Sequence, residues 1–176
     1  MSASYIRQGF KNPLRPAVSG SSGRGYSRPE LPSLFPLRIV ATVSITRLAR
    51  FSAAHRLHNP ALSADENARL FGKCNSPNFH GHNYTLEVSV AGTPDPRTGY
   101  VLDFSELDRI VDRACIDLLD HKNLDLDVPF LTGILSTAEN IAVACWAQLE
   151  PALRPARLVR LKLWETENNY VEYDGN

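Results

Sequence analysis

His80-Gly81-His82-Asn83-Tyr84-Thr85-Leu86-Glu87-Val88-Ser89-Val90 is the stretch whose period decides the architecture. Over residues 82 to 91, Tyr84, Leu86, Val88 and Val90 fall on one face and Asn83, Thr85, Glu87 and Ser89 on the other. A period of two with one apolar face predicts a half-buried antiparallel strand. Upstream the same period places Ile39, Ala41, Val43 and Ile45, then Ala49, Phe51, Ala53 and His55, on one face, with Arg47 as the exception. Downstream, residues 157 to 166 put Val159, Leu161 and Leu163 together, and residues 169 to 174 read as one more strand.

Between the strands the period changes. Phe104, Leu107, Ile110, Val111, Ala114, Leu118 and Leu119 recur at helical spacing, with Asp103 and Glu106 in a capping-box pattern. A second helix is expected to begin at Ser136, with Glu139 three residues on, and to end near Pro151. Ser63 to Phe71 suits a short helix, and Gly92 to Gly99 a turn. The order β-β-α-α-β-β describes an α+β domain: a four-stranded antiparallel sheet with two helices on one face.

The 176 residues suit one domain with one core. Residues 1–37 stand apart: glycine, proline, serine and arginine without a sustained apolar period predict a disordered basic extension, and the domain is expected over 38–176. An organellar transit peptide has the same Arg- and Ser-rich, acid-poor composition, so targeting stays open beside a solvated tail. Residues 1–50 hold eight Lys and Arg against Glu30 alone, leaving 11 bases and 18 acids for the rest. A net-acidic folded part argues against nucleic-acid binding, and no apolar run reaches the roughly 20 residues of a membrane helix. Three cysteines, with Cys115 and Cys145 on apolar helix faces, argue against a disulfide framework and for a reducing, cytoplasmic setting.

Chemistry enters with the histidines. Alternation sends His80 and His82 to the apolar side of their strand, and His55 ends the first strand on its apolar side. Inward imidazoles would repel if charged and leave polar atoms to satisfy if neutral; a shared cation relieves both. Three His with an open fourth position is the pattern of catalytic zinc, although imidazole suits other transition metals too. Cys74, in a polar loop six residues before His80, reads either as a fourth ligand or as a free thiolate acting as base or nucleophile. Asp120 beside His121 can orient an imidazole for proton transfer; such a pair at a helix end also serves as a plain cap. Glu165 shares the inward face of Val159, Leu161 and Leu163, so its carboxylate needs a basic partner or a ligand with paired donors.

Phe51-Ser52-Ala53-Ala54-His55-Arg56-Leu57, the run from Phe71-Gly72-Lys73-Cys74 to His80-Gly81-His82-Asn83-Tyr84, Asp120-His121-Lys122-Asn123-Leu124-Asp125, Ser136-Thr137-Ala138-Glu139-Asn140 and Glu165-Thr166-Glu167-Asn168-Asn169 together resemble the 6-pyruvoyl-tetrahydropterin synthase family, in its order and spacing from about residue 47 to the end. The resemblance implies the T-fold, a homohexamer built as a dimer of trimers, and active sites at subunit interfaces. It implies zinc on His55, His80 and His82, a catalytic Cys74, a proton relay completed by Asp120 and His121, a pterin-anchoring Glu165 and a pterin contact at Thr137. The implied reaction is loss of triphosphate from 7,8-dihydroneopterin triphosphate, giving 6-pyruvoyl-tetrahydropterin in tetrahydrobiopterin biosynthesis, a lyase activity. Phe79 stands where many members have glycine, and Ala138 where many have threonine.

The nearest competitor is the related 6-carboxytetrahydropterin synthase of deazapurine biosynthesis, whose cysteine typically lies closer to the His-x-His pair. A three-His zinc hydrolase would leave Glu165 unexplained, and a non-catalytic metal-stabilised oligomer would need neither Cys74 nor His121.

Overall fold

In the computed structural model the described residues are 41–176. The extension expected over residues 1–37, the domain boundary at 38 and Ile39 lie outside them. Strand β1 (Val43–His55) leads to helix α1 (Ala64–Phe71), strand β2 (His80–Gly92), helices α2 (Phe104–Val111) and α3 (Asp117–Leu119), strand β3 (Lys122–Asn123), helix α4 (Ala138–Leu149) and strands β4 (Arg157–Thr166) and β5 (Asn169–Tyr173). The sheet order is β3-β1-β2-β4-β5. All pairs are antiparallel except β1 with β3.

Alternation in the sequence becomes burial in the sheet. Ala49, Phe51, Ala53, Tyr84, Leu86, Val88, Val90, Leu161 and Leu163 point to one side, where Leu107, Val111, Cys115, Ile141, Cys145 and Leu149 of the helical segments complete a single core. Helices therefore cover one face of the sheet, as expected. Arg47, the exception on the inward face, is neutralised there: its Nε lies 2.7 Å from Asp108 Oδ1 of α2.

Five details depart from the sequence reading. The sheet has five strands rather than four: β3 is two polar residues that side-chain period cannot reveal, held by backbone bonds from His121 N–H to Ser52 O (2.7 Å) and Leu124 N–H to Ala54 O (2.8 Å). The helix expected over 104–119 is interrupted by a π-helical turn at Asp112–Ile116. A bulge shifts the β2–β4 register between Ser89 and Val90, which turns Leu158 inward and leaves Val159 half-exposed. Asp103 caps α2 by accepting from the N–H groups of Ser105 and Glu106, while the reciprocal capping box forms at Ser63 and Glu66, ahead of α1. The N-cap of α4 is Thr137, not Ser136, which is buried just before it.

Candidate functional site

The β1–β2 register creates the central feature. His55 pairs with His80 and Ala53 with His82, so three imidazoles converge at one end of the inward face. Their ring centroids form a near-regular triangle with sides of 4.5, 5.1 and 5.0 Å. One nitrogen of each lies within 4.8 Å of the others, a geometry in which they could hold a metal ion. Gly81 between the two strand histidines has a packing reason: a Cβ there would stand 3.0 Å from the carbonyl oxygen of Ala53 on the neighbouring strand.

The protonation pattern fits a cation. Buried His55 must donate from Nδ1 to the Ser136 carbonyl oxygen 2.8 Å away, which leaves a lone pair on Nε2 when the ring is neutral. That Nε2 faces His80 Nε2 at 3.0 Å, and His80 Nδ1 is buried without a partner among the described residues. All three rings are held below the ordinary histidine pKa, first by desolvation; His80 and His82 each also feel a neighbouring imidazole. Neutral imidazoles with converging lone pairs are the donor set a transition metal takes.

Glu165 stands at the rim of this cluster, on the inward face as alternation predicts. Its Oε1 is 3.8 Å from His55 Nε2 and 3.9 Å from His82 Nε2, and its side chain is 28% exposed. No Lys or Arg lies in salt-bridge range of it among the described residues. Tyr84, stacked on Phe51 at 4.8 Å, forms the floor beside His82, with ring centroids 5.6 Å apart. Burial, and then the charges of Glu165, Asp125 and Cys74, push the Tyr84 phenol well up, so it stays protonated.

Cys74 lies on a one-turn 3-10 helix, Gly72–Asn75, half-buried and outside the three-nitrogen donor cluster. Asp120 and His121 lie elsewhere. Asp120 Oδ1 accepts from Ser52 N–H and its Oδ2 from His121 Nδ1–H, both at 2.8 Å, and these bonds hold its carboxyl below the usual carboxylate range, the Ser52 bond first. His121 is 83% exposed, and the cleft beside it is lined by Ser52, Ala54, Gly81 and Asn83, whose alternation places them on the opposite side of the sheet from the three imidazoles, and also by Ala53 and His82 of the inward register. Within one chain, therefore, the structure joins Glu165 to His55, His80 and His82 but does not bring His121 to them. Thr137 caps α4 through its Oγ1, immediately after the Ser136 carbonyl that orients His55.

Sequence reasoning gave no role to Ser136 as the partner of His55, nor to Asn75 and Asp125. Asp125 Oδ2 accepts from Arg56 N–H at 2.6 Å. A backbone carbonyl carries no side-chain signature, and Asn75 and Asp125 read as ordinary loop residues. Phe79 and His121 share positive φ, 62° and 57°, a conformation that costs a β-carbon-bearing residue about 1–2 kcal/mol. Phe79 is the position where glycine was expected from the family pattern, and its φ gives the reason.

Fold and site together define an α+β domain with helices on one face of a mostly antiparallel sheet and a three-imidazole cluster able to hold a metal ion. The sequence model described as 6-pyruvoyl tetrahydropterin synthase matches residues 44–176. The human protein named 6-pyruvoyl tetrahydrobiopterin synthase is 47% identical over 131 residues, 74% of this chain and 90% of that protein. The protein of the same name from Dictyostelium discoideum is 46% identical over 134 residues, 76% and 97% of the two chains. The solved structure of Caenorhabditis elegans 6-pyruvoyl tetrahydropterin synthase is 40% identical with a TM-score of 0.73, covering 77% of this chain and 97% of that one. The chain belongs to the 6-pyruvoyl tetrahydropterin synthase family, and its fold is the T-fold.

Proposed function

We propose that the protein is a zinc-dependent lyase that converts 7,8-dihydroneopterin triphosphate to 6-pyruvoyl-tetrahydropterin and triphosphate, in tetrahydrobiopterin biosynthesis. The observation that carries the reading is Glu165: an inward carboxylate without a Lys or Arg partner among the described residues, within 4 Å of two of the three imidazoles. A carboxylate so placed has unused acceptor capacity for the N–H and amino group of a pterin edge, and it would set the substrate's side chain over the donor cluster. The relatives named above carry the pyruvoyl activity in their names, which favours this product over the carboxy product of the deazapurine enzyme.

In this reading His55, His80 and His82 hold the metal, which supplies Lewis-acid polarisation of the side-chain oxygens when bound. Cys74 as thiolate removes a proton from the side chain. His121, with Nδ1–H fixed on Asp120, offers Nε2 as the second acid or base. Thr137 contacts the pterin from the start of α4. Electron pairs move from side chain to ring within one molecule, so no nicotinamide or flavin is required. Because His121 faces away from the cluster of its own chain, we place the relay at the cluster of another subunit, in a homohexamer of two stacked trimers. Three unbonded cysteines suit a reducing, cytoplasmic setting, and no described helix is long and apolar enough to cross a membrane.

Incubating the purified protein with dihydroneopterin triphosphate and identifying the product tests the reading. Release of triphosphate with a 6-pyruvoyl product is expected. A 6-carboxy product would move the chain to the deazapurine activity, and an untouched substrate would overturn both.

A further inference from the structure

Cys74 sits on a four-residue turn that has no side-chain cap of its own, following Gly72 at φ 52°. Such a turn holds a side chain loosely unless something outside it fixes the backbone. Here the segment that leaves β1 does so. Leu57 N–H donates to the Cys74 carbonyl at 2.9 Å. Arg56 Nε–H donates to both the Asn75 carbonyl (3.0 Å) and Asn75 Oδ1 (3.2 Å), and His58 Nδ1–H donates to the same Oδ1 at 3.0 Å. Arg56 is itself pinned, its own N–H bound by Asp125.

These bonds fix the peptide units on the C-terminal side of Cys74, and Ser76 N–H, donating to the Lys73 carbonyl at 3.3 Å, ties in the residue before it. The clamp begins one residue after His55, whose ring is locked to Ser136. A short covalent and hydrogen-bonded path thus joins a ring of the donor cluster to the thiol. We infer that Arg56 and Asn75 are positioning residues that set the Cys74 sulfur relative to the three imidazoles. The inference rests on the reading of Cys74 as the base. It assigns Arg56 a directional role, through a planar N–H group, rather than one of bulk charge.

The test uses the full chain with Asn75→Ala, which removes the shared acceptor, and Arg56→Lys, which keeps the charge and lacks the fixed N–H. Cys115 and Cys145 are fully buried, so alkylation of the native protein by iodoacetamide reads Cys74. In both variants metal content and Tm should stay near wild type, kcat should fall roughly ten- to a hundredfold with KM within about twofold, and Cys74 should alkylate faster as the turn loosens. Wild-type kcat and alkylation rate in both variants would overturn the inference. So would Arg56→Lys with intact kcat and raised KM, which would make Arg56 a charge partner of the substrate. If Cys74→Ala keeps full turnover, the base assignment fails on its own; faster alkylation in Asn75→Ala would still establish the clamp, and an unchanged rate would remove it.

Discussion

The two sides of the β1–β2 strand pair are built on opposite principles. On the inward side, His55, His80 and His82 are set by strand register, His55 buried and the other two half-buried, and desolvation is the first cause that holds all three below the ordinary histidine pKa. On the outward side, Asp120 and His121 are held by a two-residue strand and a few backbone bonds, and the imidazole stands in solvent. The difference teaches that one chain brings its three imidazoles together alone but only presents the Asp120–His121 pair at its surface. A buried site can be assembled by folding; an exposed one waits for whatever packs against it.

The largest effect that would break this contrast is loss of the cluster. His80→Ala and His82→Ala should each reduce the metal from about one ion per chain to little or none, read by elemental analysis, because two imidazoles leave the ion underliganded. Full occupancy in both would mean that the inward face is not the metal face.

Turnover comes next. Cys74→Ala should keep its metal and lose about 10²–10⁴ in kcat, the range of a removed acid–base group. His121→Ala should do the same from the other side of the sheet. If the relay serves a neighbouring subunit, oligomers reassembled from the two variants should regain activity that neither homogeneous sample has. No recovery would confine the relay to its own chain, and metal loss from Cys74→Ala would make the thiol a ligand.

Glu165→Gln should weaken binding of an unreactive pterin analogue by about 1.5–3 kcal/mol in calorimetry while metal content holds, since only charge-assisted bonds are lost. Equal affinity would reduce Glu165 to a structural carboxylate.

The smallest effect belongs to Asp120. Its depressed pKa means that its contribution to stability is complete above the ordinary aspartate pKa of about 3.9 and is lost as pH falls through the folded value. The Tm gap between wild type and Asp120→Asn should therefore be widest near neutrality and close in acid; a gap that grows in acid would reverse the assignment.

What the sequence made legible were the features written in side-chain period. Three inward histidines, inward Glu165, buried Cys115 and Cys145, and the Asp103 cap all follow from counting by two or by 3.6. What it hid was written in backbone. The β3 pairing uses main-chain groups of polar residues. The bulge that exchanges Val159 for Leu158 leaves unpaired one of two adjacent, equally apolar residues. The π turn at Asp112–Ile116 keeps apolar residues near enough to helical spacing to pass for regular helix. That His121 faces away from the three imidazoles was likewise invisible, because neighbours in a motif need not be neighbours across a sheet.

Gly81 gives the strand pair one further property. With no side chain at that row, the wall between the imidazole cluster and the outer cleft is a single peptide thick, and it is the peptide that carries His80 on one side and His82 on the other. Anything that comes to rest in the cleft beside His121 leans on that wall. The two compartments are adjoining rooms: Ala53, Gly81 and His82 all line the outer cleft, so a group resting there touches the strand that carries two of the three imidazoles.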